Sequence, residues 1–136
     1  MVLADLLVMV KAQKSTDWRE VRTFPLTGLP MVRVGRLRES NDLYLPCRQK
    51  GKQAHVSKAH CTLFLKLSRH SYEVMDGAIA PIELGNVRAR IHPSTGGVIV
   101  NEHRLDLGER WLLRDRDTIV IVPGRIALRY RQQREA

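Results

Sequence analysis

The segment HVSKAH, residues 55–60, sets Ser57, Lys58 and two histidines within six positions, directly ahead of the apolar run CTLFLKL. Such residue types suit nucleophilic catalysis, metal ligation or anion capture. A serine hydrolase needs a base to activate its serine and donors for the oxyanion. Here there is no G-x-S-x-G elbow, and Ser57 merely precedes His60 by three residues. A zinc site would have to draw on Cys47, His55, His60 and Cys61, but His60 and Cys61 are neighbours entering a strand, where successive side chains point to opposite faces. Gly51 and Lys52 fail as a nucleotide loop because Pro46 stands where the first glycine belongs. Anion capture remains. Ser57 can donate a hydroxyl hydrogen bond and Lys58 a charge to a phosphoryl group of about −1.5 to −2 charge units. An arginine completes such a site best, because its planar fork donates two parallel hydrogen bonds. Arg36, following Gly35 in MVRVGRL, stands at a strand end facing a loop.

These residues must be held by β-structure. Short runs of Val, Ile, Leu and Thr recur between turn signals, and no segment keeps a 3.6-residue apolar period for three turns. The pattern predicts strands at about 5–12, 18–24, 31–36, 43–45, 60–67, 71–75, 87–92, 98–101, 109–113, 118–122 and 126–130. Between them lie LTGLP, RESND, the polar loop CRQKGKQAHVSK, MDGAIAP, HPSTGG and VPGR, which carry the Gly, Pro, Asn, Asp and Ser that chain reversals require. In VRARIH, residues 87–92, Val87, Ala89 and Ile91 share one face and Arg88, Arg90 and His92 the other. Many short strands with such punctuation imply an all-β sandwich or barrel.

At 136 residues the chain is long enough for one real core and too short for two comfortable ones. The reading is a single domain over 1–130, with 131–136 as a solvated tail. No apolar stretch approaches the roughly 20 residues of a membrane helix. The opening MVLADLLVMVKAQ lacks the basic start and the cleavage site of a secretory signal and reads as a first strand. Two cysteines, Cys47 and Cys61, suggest a cytoplasmic protein with free thiols, a single structural disulfide being the alternative. The net charge of +9 and pI near 10.3 favour an anionic partner, whether nucleic acid, acidic lipid or phosphorylated protein.

The order of the motifs narrows this choice. Gly35-Arg36, the turn ESNDLYL, Ser57-x-x-His60 opening a strand, STGGVIVN at 94–101 and then LLRDRDTIVI together resemble the forkhead-associated domain, over about residues 5–130. That family carries G-R, S-x-x-H and S-x-N-G-x-x-V-N in this order, followed by L-x-x-G-D-x-I. About sixteen extra residues between MDG and STGG look like a variant of cyanobacterial members. The resemblance implies a sandwich of about eleven strands that binds phosphothreonine peptides through loops at one end in Ser/Thr kinase signalling. It implies neither catalysis nor any metal or cofactor.

Carried over by motif position, Arg36 contacts the phosphate or adjacent peptide backbone, Ser57 hydrogen-bonds a phosphate oxygen, and Lys58 adds charge. Thr95 donates from the neighbouring loop and Gly97 forms its tight turn. Gly35, His60 and Asn101 support the binding loops, the histidine by tying them together and the asparagine by bracing a turn. Each has a plainer reading: a surface arginine, a capping serine, a solvated lysine, a turn threonine. Two departures stand out. Gly96 occupies the place of the asparagine that holds the peptide main chain, and Arg116 replaces a turn glycine. Losing the asparagine's hydrogen bond costs about 1–3 kcal/mol, or about one to two orders of magnitude in affinity. Gly96 also leaves open the alternative of a module that keeps the sandwich but binds unmodified protein or nucleic-acid backbone through its arginines. With 5% aromatic residues, a base-stacking platform is poorly supplied, so nucleic acid ranks second.

Overall fold

The computed structural model describes residues 3–12, 14–45, 56–79 and 90–133. Within them the chain forms β1 (Ala4–Lys11), β2 (Trp18–Pro25), β3 (Met31–Gly35), β4 (Leu43–Tyr44), β5 (Cys61–Lys66), β6 (Ser71–Asp76) and β7 (Ala78–Ile79). After these come β8 (Ile91–His92), β9 (Ile99–Val100), β10 (His103–Arg104), β11 (Arg110–Leu112), β12 (Thr118–Val122) and β13 (Ile126–Gln132). Apart from the β7–β8 ribbon, these strands form a six-stranded sheet, β10-β9-β12-β13-β1-β2, and a five-stranded sheet, β11-β6-β5-β3-β4. The expected all-β sandwich is present; its two sheets hold ten of the eleven expected strands and β10, while the expected 87–92 is represented by β8 in the ribbon.

Alternation along β1 explains how the layers join. Leu6 and Val8 point into the core between the sheets, where they are buried with Val32, Val34, Leu63, Val74, Ile119 and Leu128. On the opposite side of β1, Leu7 and Met9 pack with Ala127 of β13 into a small cluster of their own. The β1–β13 ladder runs from Ala4↔Gln132 to Val10↔Ile126, pairing the first described strand with the last. β13 therefore extends two residues past the predicted 126–130. Arg131 hydrogen-bonds through Nε to Asp5 (2.7 Å), Gln132 lies within the strand, and residues 134–136 of the expected tail lie outside the described residues.

Two strands were not predicted. β7 follows the Asp76-Gly77 bend and pairs with β8, the only described strand from the expected 87–92; Val87, Arg88 and Ala89 lie outside the described residues. Most of the segment between MDG and STGG does so as well. β10 forms a hairpin with β9 across Asn101 (φ 46°) and Glu102 (φ 75°). Positive φ at both central residues matches the twist of flanking strands, but the sequence marks it with Asn-Glu rather than Asn-Gly. No helix among the described residues is long and apolar enough to cross a membrane.

Candidate functional site

β3 and β5 are antiparallel, as are β5 and β6, so the end of β3, the start of β5 and the end of β6 lie together at one end of the five-stranded sheet. Gly35, Ser57–His60 and Asp76 sit there. A Cβ on Gly35 would fall far inside contact distance of the Lys58 carbonyl oxygen. The absent side chain lets the two segments cross, and the crossing is pinned by hydrogen bonds from Arg36 N to Ser57 O (3.0 Å) and His60 N to Val34 O (2.7 Å). Asn41 adds a clamp, donating through Nδ2 to Leu37 O (2.7 Å) and Lys58 O (2.6 Å).

The Arg36 side chain is half-buried and donates through Nε to Val56 O at 3.0 Å. That bond fixes the plane of the guanidinium while its two terminal nitrogens have no partner among the described residues. Ser57 is buried, yet its chemistry is incomplete: Oγ accepts the Thr95 N–H at 2.8 Å, which leaves its own proton to donate. Lys58 and Thr95 are both exposed side chains on either side of this contact.

His60 joins the two sheets. Its ring is fully buried, and Nδ1 accepts the Ser57 N–H at 3.0 Å. Nδ1 must then lack a proton, so Nε2 carries it and donates to Gly97 O at 3.0 Å. The loop ahead of β5 is thereby tied to the loop ahead of β9, which belongs to the other sheet. That second loop is shaped by Asp76 and Ser94. Asp76 Oδ1 accepts both the Ser94 N–H (3.0 Å) and the Ser94 hydroxyl, whose oxygen accepts the Gly97 N–H at 2.9 Å. Gly97 itself has φ +82°, where side chains are strained.

Seven of the eight expected residues converge: Gly35, Arg36, Ser57, Lys58, His60, Thr95 and Gly97. Asn101 stands apart, past the far end of β9. Its Nδ2 donates to Asp117 Oδ1 (2.7 Å) and its Oδ1 accepts the Thr118 N–H (2.9 Å), so it braces the β9–β10 turn against the start of β12. Sequence reading missed Asn41, Asp76 and Ser94 as organisers. Asp76 lies in MDG and Asn41 in RESND, both taken as plain turns, and Ser94 begins the STGG motif without having been given a role.

A family model for the FHA domain matches residues 32–122, well over half of the chain. The chain belongs to the FHA domain family. Solved structures share this FHA fold at low identity. Full-length yeast Pml1p is 18% identical with a TM-score of 0.66, the match covering 97% of this chain and 83% of that one. The Slr1951 protein from Synechocystis sp. is 20% identical with a TM-score of 0.62, covering 99% and 100%. The MEK1 FHA domain in complex with the HOP1 pThr318 peptide is 17% identical with a TM-score of 0.55, covering 93% and 97%. No curated protein sequence matches the chain.

Two features of this FHA domain bear on chemistry. Burial, with the Asp76 charge behind it, pushes the Cys61 thiol far above its ordinary range, so it stays protonated and is a poor nucleophile or metal ligand. Gly96 has nothing within 4 Å of the position a Cβ would take, so the place of the family's asparagine side chain is open.

Proposed function

We propose that this FHA domain binds phosphothreonine-containing proteins as a non-catalytic interaction module, with the phosphate held between Arg36, Ser57, Lys58 and Thr95. One observation carries the reading. Ser57 Oγ is fixed by the Thr95 N–H while its own proton remains to donate, beside an arginine whose Nε is tied down and whose fork is unpaired among the described residues. This is a pre-positioned set of donors with no carboxylate among the described residues to satisfy it, which suits a dianionic ligand. The relative solved with the HOP1 pThr318 peptide supports the same ligand class. Thr95 contributes through its exposed hydroxyl, and Gly97 through the turn that aims the Thr95 amide. The two-cysteine sequence and a phosphoprotein ligand fit a cytoplasmic module in Ser/Thr kinase signalling, built as one domain.

The test is fluorescence anisotropy with a phosphothreonine peptide library of random flanks, beside the dephosphorylated library and one carrying phosphoserine. Binding that requires phosphate and prefers threonine supports the proposal. Equal or absent binding in all three sinks it and turns attention to the basic surface and nucleic-acid backbone, where binding falls steeply and uniformly with salt.

A further inference from the structure

Arg104, on β10, reaches back over the loop that carries Thr95. Its Nη2 donates to Gly96 O at 3.3 Å, and its guanidinium lies so close to Gly97 that a Cβ there would sit 2.6 Å from Nη2 and 2.8 Å from Cζ. A glycine at 97 is what permits this approach. The hydrogen bond is long and exposed, so as a brace for the loop it is worth little, and it engages one of five guanidinium donors. Arg104 has no ion pair among the described residues. Beside it lies the open space over Gly96, one residue, about 3.8 Å along the backbone, from Thr95. An exposed cation with free donors therefore borders the space that a side chain at position 96 would fill.

Resting on the phosphopeptide reading above, we infer that Arg104 is a specificity-determining contact of this domain: it meets the bound peptide over Gly96 and selects an acidic side chain flanking the phosphothreonine. Asparagine can hold a main-chain carbonyl or amide without regard to sequence. A guanidinium gains most from a carboxylate, which it can grip through two parallel hydrogen bonds. The exchange of a side chain at 96 for one arriving from β10 thus converts a sequence-neutral contact into a charge-selective one. Arg36 and Lys58 serve the phosphate; Arg104 reads its neighbour.

The experiment measures phosphothreonine peptides with alanine flanks, into which Asp or its neutral isostere Asn is placed one position at a time, against wild type, R104Q and R104K. Wild type should prefer Asp over Asn at one flanking position by about fivefold, the scale of a partly exposed charge-assisted contact. The preference should shrink as salt rises. R104Q should erase it while binding remains phosphate-dependent, and R104K, which keeps the charge without the fork, should retain part of it. An unchanged preference in folded R104Q, or none at any position in wild type, overturns the inference while leaving phosphopeptide binding intact. If R104Q does not fold, the wild-type salt series decides: a preference indifferent to salt contradicts the assignment. Wild type that binds no peptide in a phosphate-dependent way brings down the parent reading and this inference together, a result distinct from the others.

Discussion

Arg36 and Ser57 differ from their neighbours in having hydrogen-bonding capacity directed but unused. Replacing Arg36 by alanine removes a fork whose Nε is already tied down, and Ser57→Ala removes both a donor and the acceptor for the Thr95 amide. Each should weaken phosphopeptide binding by about 2–3 kcal/mol or more, through k_off rather than folding, since contacts to charged groups run at about that value. Titration of the folded variants checks this, and a folded Arg36→Ala of full affinity would sink the site assignment. Gly35→Ala should act oppositely, on folding. Its Cβ meets the Lys58 carbonyl, a backbone atom that cannot step aside, so a loss of about 3 kcal/mol is expected by urea unfolding. At this scale the sequence showed which side chains could face a phosphate, because Arg, Ser and Lys announce that chemistry by type. It did not show Asn41, Asp76 and Ser94, whose partners are main-chain groups or residues 17 to 18 positions away. Such roles exist only once the strands are assembled.

Elements were legible where alternation and turn chemistry agreed, as in β6, which ends at Gly77, and β12, which lies between Asp117 and Pro123. β10 was missed because its turn uses Glu102, a residue unusual for that backbone, whereas β11 and β12 were read correctly on either side of Arg116. Glu102 (φ 75°) and Arg116 (φ 73°) both stand in the left-handed region that costs an ordinary residue about 1–2 kcal/mol. The Arg116 side chain is 88% exposed and only loosely paired, at 3.9 Å, with Asp115. Arg116→Gly should therefore raise stability by roughly 1 kcal/mol in thermal unfolding, the relief of strain being partly offset by the freer unfolded chain. No change, or a loss, would mean that Arg116 holds something the geometry does not reveal. The sequence left unstated which end of the domain the Arg116-Asp117 pair occupies. It lies with Asn101 beyond the far end of β9, away from the Ser94–Gly97 loop.

Across the whole molecule, the site is a property of the two sheets together. Arg36 and Ser57 come from the five-stranded sheet, Thr95 and Gly97 from the loop into the six-stranded one, and buried His60 joins them together with the Ser57–Thr95 and Asp76–Ser94 hydrogen bonds. His60→Ala leaves the Ser57 N–H and Gly97 carbonyl unpaired in the interior, each costing about 1–3 kcal/mol. The expected result is a domain that loses both stability and ligand affinity, unlike Arg36→Ala, which loses affinity alone. The net charge of +9 adds a long-range attraction for acidic partners that speeds encounter and fades with salt, but it does not create the site. The most direct measurement of the central claim is an amide NMR titration of the domain with a pool of phosphothreonine peptides and with the same pool dephosphorylated. The account predicts phosphate-dependent shifts confined to the amides of Arg36, Ser57, Lys58, Thr95 and their loop neighbours. Shifts that ignore the phosphate, or that fall on β2 and β13 instead, would contradict it.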